Sequence, residues 1–250
     1  MLSANYAKQV AAEKALNLLR DRIAEAEKIG VGTGSTVARI VELIMDDPEL
    51  ARAMKTGRVY ASSLATLLML RRYGVEAYSY TPRGGLDVYF DGADEVAAED
   101  GECMLVKGRG AAMVREKILA YNSRYTVIVV DESKVSSSLG ERGKPVPVEV
   151  LEYALEALLD ELNVLGVRAE VRSSCGCRDG PALTDNFGIV VDTWPWGVVG
   201  LRQYEALLDR LPGVVGHGLF IGYADTVVVG RGDGGVTVYR CRRTRRNPAL

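Results

Sequence analysis

Two carboxylates, a lysine and a third carboxylate lie along residues 90–117 (FDGADEVAAEDGECMLVKGRGAAMVREK) at spacings that suit proton transfer beside a carbonyl. Asp91 and Asp94 stand in a glycine-broken turn directly after an apolar strand, residues 86–90. Lys107 closes a second apolar run, residues 104–106, and a Gly-Arg-Gly loop then opens a helix carrying Glu116. Strand ends and helix starts are where α/β proteins place their chemistry. A carboxylate base, a cation for the developing oxyanion and a further carboxylate for hydroxyl protons are what such a reaction requires. Glu116 shares a helix face with Ala112 and Ala120, so small neighbours leave room for a ligand, and partial desolvation there favours a base of raised proton affinity. Its flanking residues, Arg115 and Lys117, read as solvated charges. The structural alternative for the acidic pair is turn chemistry, which Asp-Gly sequences often serve.

Two hydroxyl-rich loops could hold the rest of a ligand. The first, residues 30–36 (GVGTGST), is not a P-loop, because no Gly-Lys-Ser/Thr follows. It also misses the dinucleotide fingerprint, since Ser35 stands at the third glycine position and no acidic residue ends the next strand. What remains is a turn entering a helix, with exposed backbone N–H groups and hydroxyls on Thr33, Ser35 and Thr36, suited to a phosphate or sugar hydroxyl. The second, residues 61–66 (ASSLAT), brings Ser62 and Ser63 to another helix start, where helix capping is the plainer reading. Lys134, just past a buried strand, is placed to reach an anion.

Periodicity supplies the elements that position these groups. Helical spacing covers residues 5–24, 37–45, 64–73 and 110–122, and strands are expected at 29–31, 59–62, 77–80, 86–90, 104–106 and 125–131. That alternation predicts a largely parallel sheet. After a Ser/Gly linker at 136–143, segments at 146–150, 153–162, 169–172, 189–192 and 201–211 follow a β-α-β-β-α-β rhythm that fits a ferredoxin-like unit. Strands at 226–229 and 236–239 return to the first domain. The fold class expected is α/β: a Rossmann-like, mostly parallel domain (1–138 and 219–240), a smaller ferredoxin-like α+β domain (139–218), and a basic, frayed tail (241–250).

Composition narrows the function. The chain has 250 residues, 48% hydrophobic, and a net charge of −2, which argues against nucleic acid as partner. Apolar runs are too short to span a bilayer, and Lys8, Glu13 and Lys14 interrupt any signal-peptide core, so a cytoplasmic protein is expected. Cys175 and Cys177 form C-x-C, which lacks the spacing of a structural zinc site, so no metal is expected. An intracellular disulfide stays open should the source be a hyperthermophile. The single histidine, His217, sits among glycines and apolar residues and reads as a packed structural group, which leaves acid–base work to carboxylates.

Taken together these segments resemble the ribose-5-phosphate isomerase type A family. The matching pieces are VGTGSTV (31–37), ASSLAT (61–66), DGADEV (91–96), LVKGRGAAMVREKI (105–118), VIVVDESK (127–134), KPVPVEV (144–150), GPALTDNFGIVVD (180–192) and PGVVGHGLFIGYAD (212–225), in the family's order and over nearly the whole chain. The resemblance implies interconversion of D-ribose 5-phosphate and D-ribulose 5-phosphate through a cis-enediolate, with no metal or organic cofactor, in a homodimer or homotetramer. By position it implies Glu116 as base, Asp91 and Asp94 as the acidic pair, and Lys107 as oxyanion stabiliser. Lys8, Gly32, Thr33, Gly34, Ser35, Thr36, Ser62, Ser63, Gly108, Gly110 and Lys134 correspond to substrate-binding positions. Two departures stand out. Arg109 replaces the middle glycine of a K-G-G-G run, where it is expected to point away from the site, and TDNFG (184–188) replaces TDNGN. The rival reading is a sugar-phosphate sensor on the same fold. A coenzyme A transferase or amino-sugar deaminase of similar fold would need other motifs.

Overall fold

Short β-branched runs buried on both faces form the centre of the molecule, as expected where helices cover both sides of a parallel sheet. The computed structural model describes residues 2–174 and 179–250, so Cys175 and Cys177 lie outside the described residues. In chain order the elements are α1 (Leu2–Glu25), β1 (Lys28–Val31), α2 (Ser35–Asp46), α3 (Pro48–Thr56), β2 (Arg58–Ala61), α4 (Leu64–Arg72) and β3 (Ala77–Tyr78). Next come β4 (Val88–Asp91), β5 (Glu95–Glu99), β6 (Glu102–Val106), α5 (Met113–Tyr121) and β7 (Thr126–Asp131). The chain continues through β8 (Val146–Val150), α6 (Leu155–Val164), β9 (Arg168–Val171), β10 (Ile189–Trp194), α7 (Leu201–Leu208), β11 (Val214–His217), β12 (Leu219–Ile221), β13 (Thr226–Gly230) and β14 (Val236–Arg240).

Seven strands make the central sheet in the order β14-β13-β7-β4-β1-β2-β3, parallel except for the β13–β14 hairpin. The helix α1 buries Ala11, Ala15, Leu19 and Ile23 in one cluster with Val37, Ile40, Val41 and Ile44 of α2. The small unit is a four-stranded antiparallel sheet, β11-β8-β10-β9, crossed by α6 and α7, which is the ferredoxin-like order.

Two local features depart from the periodicity reading. Strand β6 does not join the parallel sheet but pairs antiparallel with β5 and β12 in a third sheet. Only Asp100 and Gly101 separate β5 from β6, both at positive φ (48° and 77°), and such a tight turn can only return the chain as a hairpin. The pattern assigns nothing to residues 46–58, where α3 forms. Asp47 caps it by accepting from Glu49 N and Leu50 N, with Pro48 opening the first turn.

The basic tail is not frayed. Cys241 is disulfide-bonded to Cys103 of β6 across 138 residues. Arg243 donates to Asp225 Oδ2 (2.9 Å) and the Ala120 carbonyl (2.6 Å), and Thr244 Oγ1 donates to the buried Glu102. Arg245 reaches the buried Glu205 at 3.3 Å. Buried carboxylates need cations or donors, and here the tail supplies them. Among the described residues no helix is long and apolar enough to cross a membrane.

Candidate active site

The carboxyl end of β4, the carboxyl end of β6 and the first turn of α5 converge on one buried ammonium group. Lys107 Nζ lies 2.8 Å from Asp91 Oδ2 and 3.2 Å from Glu116 Oε2, and it donates to the Gly92 carbonyl at 2.6 Å. All three side chains are almost fully buried. Glu116 Oε2 is within ion-pair range of Lys107 but makes no hydrogen bond of good geometry among the described residues. A buried carboxylate oxygen without a donor is costly, and it is also free to accept a proton.

One ammonium between two buried carboxylates cannot neutralise both. Burial raises the proton affinity of Glu116, Asp91 adds to the effect, and Lys107 only partly opposes it, leaving its pKa at about 8. Burial would lower the pKa of Lys107, but Asp91 and Glu116 outweigh that and raise it, so the ammonium stays charged. At neutral pH the cluster rests with Lys107 as the ammonium and Glu116 protonated.

Above this cluster opens a pocket of about 470 Å³, within the range of small-molecule sites. Its catalytic end is lined by Lys107, Gly108, Arg109, Gly110, Glu116 and Asp94. Asp94 is held by the Arg109 amide, which donates to Oδ2 at 2.9 Å. Thr33, Gly34, Ser35 and Thr36 line the same pocket, with Lys8 and Lys134. Helix α2 begins there, and Gly34 at its N-cap offers no side chain to its first amides. A helix start without a side-chain cap, in a pocket shared with two lysines, is the kind of place that suits an anion.

Four expected site residues, Ser62, Ser63, Asp91 and Gly32, lie under the pocket rather than in its wall. Ser62 and Ser63 are buried and close a hydroxyl cluster with Thr33 Oγ1 at 2.7 and 2.8 Å. Thr66 Oγ1 extends it by donating to the Gly32 carbonyl at 2.7 Å, which bolts the α2 start to the α4 start. Asp91 is also beneath the floor, with oxygens occupied by Lys107, the amides of Thr33 (3.1 Å) and Gly92 (2.7 Å), and the Tyr89 hydroxyl. It holds Lys107 and the first loop and does not line the pocket. Gly32 is the point of closest approach, since a Cβ there would meet Asp91 Oδ1 at 2.1 Å. Gly32→Ala is therefore expected to displace Asp91, lowering kcat at least tenfold and Tm by several degrees. Activity assays with thermal unfolding check this, and a near-normal variant would show that the contact tolerates a methyl group.

Comparison with known proteins agrees with this geometry. The sequence model of ribose 5-phosphate isomerase A (phosphoriboisomerase A) matches residues 58–234. Ribose-5-phosphate isomerase A of Pyrococcus horikoshii is 34% identical over 227 residues, covering 91% of this chain and 95% of that protein. The Aeropyrum pernix protein of the same name is 38% identical, covering 91% and 92%. A solved D-ribose-5-phosphate isomerase in complex with phospho-erythronic acid superposes with a TM-score of 0.83 at 32% identity, over 95% of this chain and 99% of that one. The chain belongs to the ribose-5-phosphate isomerase A family.

Both departures from the family motifs now have a physical account. Phe187 in TDNFG keeps a left-handed backbone, φ 64°, that glycine adopts freely, and its side chain is 85% exposed. Its neighbours bind the isomerase's two units together. Asn186 Oδ1 accepts from Arg115 Nε at 2.7 Å, and Asp185 Oδ2 accepts from the Leu64 amide at 2.7 Å. Arg109 is exposed at the pocket's rim, and its φ is not positive, so replacing glycine there introduces no backbone strain.

Other residues escaped the sequence reading. Tyr89 sits two residues before Asp91 on the same strand face, a spacing from which its hydroxyl contact could have been read. Lys117, expected to be solvated, is half-buried, donates to the Leu219 carbonyl at 2.9 Å, and lies 3.2 Å from His217. Burial, then His217's neighbour Asp209 acting against it, leaves the Lys117 pKa lowered to about 7. His217 is the structural group expected, buried and 3.0 Å from Asp209.

Proposed function

We propose that this pocket interconverts D-ribose 5-phosphate and D-ribulose 5-phosphate, with Glu116 moving a proton between C2 and C1 through a cis-enediolate. The observation that carries the reading is the buried Glu116 beside Lys107 in the wall of a pocket that Lys8, Lys134 and the α2 start also line. The solved relative whose complex holds phospho-erythronic acid supports a phosphorylated four- or five-carbon ligand.

The phosphate binds at the α2 start between Lys8 and Lys134, which places the sugar's first two carbons over Glu116. The carboxylate of Glu116 takes the C2 proton of the open-chain aldose. The electron pair moves into a C1–C2 double bond, and the carbonyl oxygen becomes an oxyanion facing Lys107. A preorganised donor of this kind is worth roughly 3–4 kcal/mol in the transition state. Asp94, held in orientation by the Arg109 amide, exchanges the hydroxyl proton. Glu116 then returns its proton to C1, giving the ketose. Nothing observed favours a non-catalytic sensor, which would have no use for a donor-free buried carboxylate.

The test is incubation with ribose 5-phosphate in deuterated water, following ketose formation and deuterium uptake at C1. Ketose without any solvent hydrogen exchange under all conditions would favour direct hydride movement instead. The pH profile is a second test. Only ionised Glu116 accepts the proton, so kcat/KM is expected to climb about tenfold per pH unit below about 8 and level off above it. Profiles from pH 6 to 9.5 check this. A plateau already reached at pH 6 would remove Glu116 as the titrating base.

A further inference from the structure

The loop that carries the catalytic end of the pocket is gripped from the other unit. Arg172 follows β9 and its side chain is partly buried. Its guanidinium forks onto Asp192 of β10, Nε to Oδ2 at 2.8 Å and Nη2 to Oδ1 at 2.5 Å. The remaining nitrogen, Nη1, donates to two consecutive loop carbonyls, Gly108 at 2.9 Å and Arg109 at 3.1 Å. A fork on Asp192 alone would suffice to hold β9 to β10, which already pair as strands. The contact to both carbonyls needs another explanation.

Peptide geometry supplies it. In a trans peptide the carbonyl of one residue and the amide of the next point in opposite directions. Drawing the Gly108 carbonyl to Arg172 turns the Arg109 N–H the other way, onto Asp94 Oδ2. Drawing the Arg109 carbonyl to Arg172 turns the Gly110 N–H away from Arg172 in the same manner, and Gly110 lines the pocket. That N–H has no hydrogen-bond partner among the described residues. The loop needs such a hold, because Gly108 and Ala111 both take positive φ (104° and 58°) and glycines flank Arg109.

We propose that Arg172, anchored by Asp192, is a positioning residue for the isomerisation: it sets two peptide planes so that the Arg109 amide orients Asp94 and the Gly110 amide faces the substrate. The inference deepens the isomerase reading and rests on it for its effect on turnover. Arginine is required, because a lysine presents a point charge and cannot fork onto Asp192 while reaching two carbonyls.

The experiment compares the wild-type chain with Arg172→Ala, Arg172→Lys and Asp192→Asn, measuring kcat and KM on ribose 5-phosphate, Tm, and the backbone amide resonances of Arg109 and Gly110. Misplacement of catalytic groups by about 1 Å costs roughly 10²-fold, so Arg172→Ala is expected to lose about 10- to 100-fold in kcat with KM changed less than about threefold. Arg172→Lys is expected to keep Tm but not kcat, and Asp192→Asn to show a smaller loss of the same kind. Added guanidinium ion is expected to restore part of the Arg172→Ala activity, and the two amide resonances are expected to move in all three variants. Unmoved resonances with kcat within twofold of wild type would overturn the proposal. A loss that follows Tm and does not respond to guanidinium would overturn it too, marking Arg172 as structural. A wild-type chain inactive on ribose 5-phosphate, whose Arg109 and Gly110 resonances still depend on Arg172, would defeat the isomerase reading and leave the loop-setting role standing.

Discussion

Glu116→Gln is expected to reduce kcat and kcat/KM together by about 10³-fold or more, with substrate affinity little changed, because the amide keeps the size of the side chain but cannot take a proton. The same variant is expected to be the more stable protein at alkaline pH. The native state raises the Glu116 pKa from 4.5 to about 8, so between those values the folded chain holds a proton that the unfolded chain has released. Stability tied to this group is complete below pH 4.5 and falls as pH rises through about 8. Glutamine mimics the protonated acid and loses nothing across that window. The Tm difference in favour of Glu116→Gln should therefore widen from pH 5 to pH 9. Steady-state kinetics and unfolding at both pH values check this. Substantial turnover by the variant would dismiss Glu116 as base, and a Tm difference independent of pH would show that its carboxyl group is not held protonated.

Lys107→Met is expected to damage both catalysis and folding. Losing the donor that faces the enediolate oxygen costs about 10²- to 10³-fold in kcat. Removing the ammonium also leaves Asp91 buried without a counter-charge, a defect worth about 3–5 kcal/mol. Asp91 keeps its contacts with Tyr89, Thr33 and Gly92, so the chain should still fold. The double variant Lys107→Met with Asp91→Asn should recover most of the lost stability but none of the activity, since the donor is still missing. Denaturant unfolding of the four members of this cycle gives the coupling. Equal stability of the single and double variants would mean that Asp91 is not a charge awaiting its partner.

Why some of the site was legible follows from what adjacent residues can encode. Lys107 ends an apolar strand and Glu116 opens a helix, and both facts follow from short-range pattern. Asp47-Pro48 before α3 and the Asp100-Gly101 turn carry equally local signals in capping and turn chemistry. Depth is different. Ser62, Ser63 and Asp91 have the residue types of ligand contacts, yet they form the layer beneath, because the α2 and α4 starts approach closely enough for hydroxyls to bond to one another. Nothing in the order of residues says which of two neighbouring hydroxyls faces the pocket. The tail reads as a solvated basic end until the buried carboxylates of Glu102 and Glu205 and the half-buried Asp225 are seen beside it.

The amino-acid order alone determined the α/β alternation, the ferredoxin-like insertion, the family, and which acid and which cation would face each other at strand and helix ends. These follow from periodicity and local chemistry, which act over a few residues. The tertiary structure decided which carboxylate sits below the pocket and which lines it, and why Glu116 holds a proton at neutral pH. It also brought Arg172 onto a loop 63 residues earlier in the chain. Desolvation and the geometry of groups distant in sequence exist only once the two units pack together.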